Sequence, residues 1–452
     1  MGDSCLVSPS QPLTMGFTSA APFRASSSAT GALYHCAMAK DILVLGAGII
    51  GTCAALELQL RGHRVVLLDR RPPGEEASYG NAGIIQGEAV EPYAMPREWR
   101  ALLAVLFRAN LDVNWHASGV LAARSQLAHY WRASAPPSHR AISREYAGLI
   151  AHANREHARM LALAEAEDLL RRDGLRFVYR TQRGLDDALL HAQCVDREFG
   201  VPYSALDSKG LAAAEPAFRM PLAGAVHWLG SWSITNPGAL VQRYAQLFQR
   251  CGGRLVQGDA NSLRSRGVSW QVQTADGLVE ADLAVVAIGA SAEEFTRRMG
   301  YRWPLFAKRG YHRHYIGGDI LKLPTLDAER GYVMSSQQRG LRITSGAEIA
   351  RPDARPTPRQ LVGAEKAARE LLDLGEAVES QPWVGCRPCC ADMKPIIGAA
   401  PRHRGLWIDC GHGHQGFTLG PASARLLADL IEGGTPYTEA QAFSPTRFEA
   451  SQ

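Results

Sequence analysis

Long apolar runs are missing from this chain: no stretch of about 18 residues is both apolar and uncharged, which excludes a transmembrane helix. A basic tract is missing too, because 49 Lys and Arg residues are dispersed among 44 Asp and Glu, for a formal charge of +5. That balance excludes nucleic acid as an expected partner. It suits a small anionic or zwitterionic substrate, or the negatively charged inner face of a membrane. Peripheral attachment through an amphipathic helix therefore stays open. The nine cysteines are irregularly spaced and odd in number, so they read as reduced thiols of a cytoplasmic protein rather than a disulfide framework. Cys386, Cys389, Cys390 and Cys410 with His412 lack the second ligand pair of a closed zinc site, and no metal is expected. No Ser-His-Asp order, paired catalytic carboxylates or P-loop stands out, so hydrolase and kinase chemistry has no support.

What the chain does contain is enough for two domains, with 452 residues and 46% hydrophobic content. Residues 1–37 stand apart: they are Ser-rich, poor in acids and carry Arg24 as their one strong cation. This arm is expected to be disordered or an artefact, with translation starting at Met38. From Asp41 the pattern changes. Ile42-Leu43-Val44-Leu45 reads as a buried parallel strand, Gly46-x-Gly48-x-x-Gly51 as a turn, residues 52–61 as a helix, and Val65–Leu68 as a second strand ending at Asp69 and Arg70. In such a βαβ unit Gly46 permits the tight turn, Gly48 lets the backbone approach a diphosphate, and Gly51 lets helix and strand touch. The N–H groups around Ile49 and Ile50 then face the anion, and Asp69 meets ribose hydroxyls.

Further along, residues 145–172 are spaced as a long amphipathic helix that packs as a structural element. Residues 239–251 and 360–374 also read as helices, the second preceded by a proline-broken loop. Strands are expected around Leu255 and over residues 283–288, the latter ending at Gly289.

NAD and FAD both use this turn. The segment Ser78-Tyr79-Gly80-Asn81-Ala82-Gly83 favours FAD, because small residues let a backbone pass close to a flavin. Here the chain resembles the D-amino acid dehydrogenase and D-amino acid oxidase family of flavoproteins, which also holds glycine and sarcosine oxidases. The resemblance extends over nearly the whole chain from Met38. It includes residues 232–238, residues 285–289 and Gly346-Ala347-Glu348. Its most specific part is Gly385-Cys386-Arg387-Pro388, Asp392 and Pro395-Ile396-Ile397-Gly398, followed by the glycine-rich Gly411–Thr418 that faces the flavin ring in the family.

The resemblance implies an α/β fold in which a Rossmann-like FAD-binding domain (38–90, 230–300 and 385–440) interleaves with a mixed-sheet substrate domain (91–229 and 301–384). FAD contacts are expected at Gly46, Gly48, Ile49, Ile50, Gly51, Asp69, Arg70, Ser78, Asn81, Ala82, Gly83, Gly289, Gly411, Gly413, Gln415, Gly416, Phe417 and Thr418. Arg387 is expected to hold the substrate carboxylate bidentately, as a planar guanidinium can. A Cys near this motif tethers the flavin in sarcosine oxidases, which raises Cys386 as a tether.

Lys308–Tyr315 supplies further candidates. Alternation directs Tyr311, Arg313 and Tyr315 to one face and His312 and His314 to the other. Tyr311 and His312 are placed at the site, against the plainer reading of a strand with one solvated face. His414 is placed near the flavin and substrate, with a capping role as the alternative. The implied reaction is FAD-dependent oxidative deamination of an amino acid, first of all D-amino acid dehydrogenation, with hydride passing from Cα to flavin N5. A quinone or electron-transfer partner is expected as acceptor rather than oxygen. The alternatives are oxidation of a secondary or cyclic amine (sarcosine, glycine, D-hydroxyproline) and a noncatalytic flavin subunit.

Overall fold

Ile42, Leu43, Val44 and Leu45 are almost entirely withdrawn from solvent, because their strand (Asp41–Leu45) lies inside a sheet covered on both faces. The computed structural model describes residues 39–108 and 111–451, so the expectation for residues 1–37 lies outside the described residues. Strand order in this six-stranded sheet is Arg254–Gln257, Arg64–Asp69, Asp41–Leu45, Leu283–Val286, Leu406–Cys410 and Ile396–Ala399. The first five run parallel, and the last is antiparallel to its neighbour.

Alternation sorts the side chains between two cores. Ile42, Val44, Leu67 and Val285 pack under the helices Ile49–Leu60, Pro237–Arg250 and Gly416–Glu432. Leu43, Leu45, Leu68 and Val286 pack on the other side with Trp270, Val272 and Phe295. Burial on both faces is why these strands read as unbroken apolar runs. Each fully buried Leu or Val contributes roughly 1.5–3 kcal/mol. Trp270 and Val272 belong to an antiparallel meander, Arg264–Arg266, Ser269–Thr274 and Gly277–Ala281, whose short polar strands gave no distinct sequence signal.

The expected helices are present with shifted ends. The one anticipated at 145–172 spans Pro136–Leu163, starting on two prolines whose missing N–H groups cost nothing in a first turn. Leu170 and Arg171 instead pair with Trp232–Ile234, which also pairs with Ile84–Ile85. The helix Pro237–Arg250 is capped by Asn236, whose Oδ1 accepts from the Ala239 N–H at 3.0 Å. Arg359–Leu371 is the helix expected after the proline-rich loop.

The second sheet has 11 strands and is built around the long strand Leu305–Gly317. Trp383–Cys390 pairs with it antiparallel from Leu305↔Cys390 to His312↔Trp383, and Gly340–Thr344 lies along part of its length. The ladder keeps the chain in the larger sheet through Cys390, and the six-stranded sheet resumes at Ile396. Among the described residues, no helix is long and apolar enough to cross a membrane.

Candidate functional site

The turn after the first strand has the geometry of a phosphate cradle. Gly46 has φ of 101°, and a Cβ there would stand 2.5 Å from the Ala287 carbonyl oxygen. A Cβ on Gly51 would collide with the Gly46 carbonyl, so both positions exclude side chains. The first helical bond is donated by the Thr52 N–H to the Gly48 carbonyl at 2.9 Å, leaving the N–H groups of Ile50 and Gly51 ahead of the ladder. The Ile49 N–H donates to Ser78 Oγ at 2.9 Å, which ties the loop after the second strand to this helix start. Asp69 accepts from the N–H groups of Ala47 (2.6 Å) and Arg71 (3.0 Å), so its carboxylate is fixed beside the turn. Arg70 points outward, with Glu76 at 3.8 Å. A small-residue turn, free helix N–H groups and a fixed carboxylate together fit the diphosphate and ribose of a dinucleotide.

The loop Ser78–Gly83 runs between the two sheets. Asn81 Oδ1 accepts from the N–H groups of Gly83 (2.8 Å) and Ile84 (3.3 Å), and the Ala82 carbonyl accepts from Ser335 Oγ and Gln337 Nε2, both at 2.9 Å. Below it, the buried Arg342 donates through Nη1 to the carbonyls of Tyr79 (2.7 Å) and Asn81, and through Nε to His314 Nε2 at 2.9 Å. Glu379 accepts from His314 Nδ1 at 2.7 Å. Burial lowers the Arg342 pKa to about 10, which leaves it a cation at neutral pH.

From the C-terminal motif, Gly411 packs against Leu305 and Cys390, and the Gly413 N–H donates to the Pro388 carbonyl at 2.6 Å. Gly416 opens the last helix, whose first bond is donated by Leu419 to the Gln415 carbonyl at 2.8 Å. The N–H groups of Gly416, Phe417 and Thr418 therefore precede the ladder. The side chains here serve packing. Gln415 accepts from Thr418 Oγ1 at 2.7 Å and donates to Gln86 at 2.8 Å, and the Phe417 ring is buried beside His157. Gly289 begins the short turn after the fourth parallel strand, near Pro388 and Cys389.

Pairing on the long strand decides which candidates share a face. Lys308↔Arg387, Gly310↔Gly385 and His312↔Trp383 are opposed and lie on one face, while Arg309↔Cys386 and Tyr311↔Val384 lie on the other. Arg387 reaches across Gly310, and its Nη1 and Nη2 donate to the carbonyls of Gly346 (3.1 Å) and Ser345 (3.2 Å). Three of its five N–H groups remain for another acceptor. His414 and Lys308 lie close enough that both cations, Arg387 and Lys308, reinforce the effect of burial and hold the His414 pKa down to about 3. The Tyr93 ring sits 4.6 Å from that of His414. Tyr93 keeps 57% of its surface accessible, yet burial pushes its phenol up to about 12. Arg387, Lys308, His414 and Tyr93 thus lie together as one cluster.

Two expected residues are not in that cluster. Tyr311 is turned to the opposite face, where its hydroxyl donates to Glu348 Oε2 at 2.5 Å and accepts from the Thr357 N–H at 2.9 Å. Alternation dictates this, since Tyr311 is one residue out of phase with Gly310 and His312. His312 is on the site face but stacks on Trp383 at 4.8 Å, beside Tyr79, and burial lowers its pKa to about 2. It buttresses the Ser78–Gly83 loop rather than the Arg387 cluster. Cys386 shares the Tyr311 face, near Arg309 and Glu348, and burial raises its thiol pKa. His412 shares a 2.8 Å hydrogen bond with Ser423, and Asp392 accepts from Arg447 at 2.8 Å; both are structural contacts. Tyr93, Lys308, Gly310 and Arg342 were missed as separate site residues. Lys308 and Gly310 lay within the block noted for its polar clustering, whereas Tyr93 carried no periodic signal.

Comparison with known proteins accords with this geometry. Residues 41–430 match the family described as FAD dependent oxidoreductase. A D-amino acid dehydrogenase of Cereibacter sphaeroides is 31% identical over 444 residues, covering 90% of this chain and 95% of that protein. A D-amino-acid oxidase of Bradyrhizobium diazoefficiens is 29% identical, with 90% and 99% covered. The fold is similar to that of glycine oxidase from Geobacillus kaustophilus, with a TM-score of 0.67, 22% identity, and 90% and 98% of the two chains covered. With the family matched over most of the chain and a dinucleotide cradle in place, the chain belongs to the FAD-dependent oxidoreductases of the D-amino acid oxidase type, and FAD is its cofactor.

Proposed function

We propose that this enzyme oxidises the C–N bond of an amino acid, first of all a D-amino acid, and acts as a dehydrogenase. The observation that carries the reading is the Arg387 guanidinium, pinned by two carbonyls and clustered with Lys308, Tyr93 and His414. Bound FAD supplies the two-electron acceptor for the C–H bond beside nitrogen. Gly46, Gly48, Ile50, Gly51 and Asp69 would hold its dinucleotide part, and the Ser78–Gly83 loop and the start of the last helix would flank its ring.

The chain's own contribution is orientation and charge. Arg387 fixes a carboxylate in two dimensions, so a substrate Cα–H can be presented in a single direction. Lys308 adds a second cation, and together they favour the neutral form of the substrate amine over the ammonium. An amine that arrives neutral needs no dedicated base. His414 and Tyr93 stay uncharged near neutral pH, and serve to shape the site and exclude water. The imine product hydrolyses in water to a 2-oxo acid.

The acceptor in this reading is a quinone or an electron-transfer partner, with the enzyme attached peripherally at the inner face of a membrane. An anaerobic screen for flavin bleaching with D-amino acids, glycine, sarcosine and D-hydroxyproline tests the substrate class. Bleaching fastest with D-amino acids is expected; bleaching by secondary amines alone, or by none, overturns the reading. Dye reduction without peroxide formation is expected for the acceptor.

A further inference from the structure

The helix Trp99–Leu106 is built the wrong way round for a helix of a globular protein. None of its residues is buried, and its apolar stripe faces outward. Trp99, Leu103 and Leu106 recur at helical spacing, with Phe107 just after them, and are 65%, 40%, 55% and 75% accessible.

The charges around the stripe are one-sided. Between residues 97 and 132 stand Arg97, Arg100, Arg108, Arg124 and Arg132, against Glu98 and Asp112 as the acids. None of these five arginines forms an ion pair among the described residues, whereas Arg61, Arg159, Arg309 and Arg447 are all paired with carboxylates. Three of the five lie over tryptophan rings instead: Arg97 over Trp131 at 4.2 Å, Arg108 over Trp115 at 4.6 Å, and Arg100 over Trp99 at 5.3 Å. Apolar side chains rimmed by tryptophan and unneutralised arginine match the layered chemistry of a bilayer surface, with acyl chains inside and phosphates outside.

The same segment reaches the Arg387–His414 cluster. Tyr93 faces His414, and its carbonyl accepts from Tyr130 at 2.5 Å. The Met95 N–H donates to Ser134 Oγ at 2.9 Å and Arg97 to the Trp131 carbonyl at 2.6 Å, which straps the chain from that cluster to the exposed helix. Lys308 Nζ lies 4.1 Å from the centre of the Tyr130 ring.

We infer that the face formed by residues 97–108 docks on an anionic phospholipid bilayer, on the segment that leads to the Arg387–His414 cluster. A second copy of the chain is the poorer occupant, because a two-fold contact would bring the arginine rim against itself. The purpose of such docking rests on the proposed membrane-borne acceptor, but the docking itself is read without one.

The test is co-sedimentation of the full-length, FAD-loaded protein with phosphatidylcholine vesicles, with and without phosphatidylglycerol, at low and high salt. Binding is expected only with phosphatidylglycerol and should weaken with salt. The triple variant Arg97→Gln, Arg100→Gln, Arg108→Gln should bind on the order of 100-fold more weakly, from roughly five-fold per lost cation. The double variant Trp99→Ser, Phe107→Ser should also release, while keeping its flavin spectrum and its dye-linked activity. Three results overturn the inference: no sedimentation of the wild type, equal binding to neutral vesicles, or wild-type binding by both variants. A dimer in light scattering that the double variant dissolves also overturns it, in favour of self-association. Quinone reduction in detergent, without vesicles, judges the acceptor reading separately.

Discussion

The Arg387 guanidinium lies across Gly310 on the neighbouring strand, where an added Cβ would stand 2.5 Å from Nη2. The bulk of residue 310 therefore controls where the Arg387 guanidinium can go. Gly310→Ala is expected to push Arg387 off the carbonyls of Ser345 and Gly346 and raise KM for amino-acid substrates roughly ten- to a hundred-fold, the effect of losing charge-assisted hydrogen bonds. Arg387→Ala should raise KM at least as much, with FAD retained in both variants. Steady-state kinetics beside the flavin spectrum check this. Unchanged kinetics in Gly310→Ala would show that Arg387 does not act from this position.

How far the sequence foretold this site follows from the kind of signal each part carries. The Gly46–Gly51 turn and Asp69 were legible because the βαβ unit compresses strand, turn, helix and acid into one short stretch. Arg387 was legible through the resemblance alone, since its neighbours on Leu305–Gly317 are far away in sequence. Tyr311 falls on the face opposite Arg387, because alternation separates two faces but does not say which one carries a given partner. Tyr93 gave no signal because its neighbours His414 and Arg387 come from distant parts of the chain. The long ladder between Leu305–Gly317 and Trp383–Cys390 was not legible for the same reason, as strand pairing across some eighty residues leaves no local mark.

Arg342 supports a second prediction. Its guanidinium is buried and donates to the carbonyls of Tyr79 and Asn81, in the loop that would flank the flavin. Arg342→Met leaves those carbonyls without a donor, a cost of about 1–3 kcal/mol for each buried group left unpaired. The loop should loosen and FAD affinity should fall by about ten-fold or more, measured by titrating apoprotein with FAD. Arg342→Lys should restore part of it, because one ammonium can still reach one carbonyl. Wild-type FAD affinity in Arg342→Met would reduce the contact to packing.

His414 sets an expectation for pH. Burial, then the nearby Arg387 and Lys308, holds its pKa down to about 3, so it is neutral throughout the working range. The rise of kcat/KM with pH should then report deprotonation of the substrate amine rather than of His414. In His414→Gln the midpoint of that rise should stay within about half a unit of the wild type, even if the rate falls. A midpoint that disappears or moves further with the substitution would make His414 the titrating group.

His157 makes folding stability itself depend on pH. It is fully buried between the helix Pro136–Leu163 and the last helix, and its Nε2 donates to the Phe417 carbonyl at 2.9 Å. Burial lowers its pKa from 6.5 to about 4. Between those values the unfolded chain binds a proton that the folded chain refuses, so stability rises with pH across the window. The contribution is complete above about pH 6.5 and is lost towards pH 4, at about 1.4 kcal/mol per unit. Urea unfolding at several pH values should show this slope. In His157→Gln, where the amide can still donate to Phe417, the slope should shrink by about one proton. An unchanged slope would assign the acid sensitivity to other buried groups, such as His412, whose pKa burial also lowers to about 3.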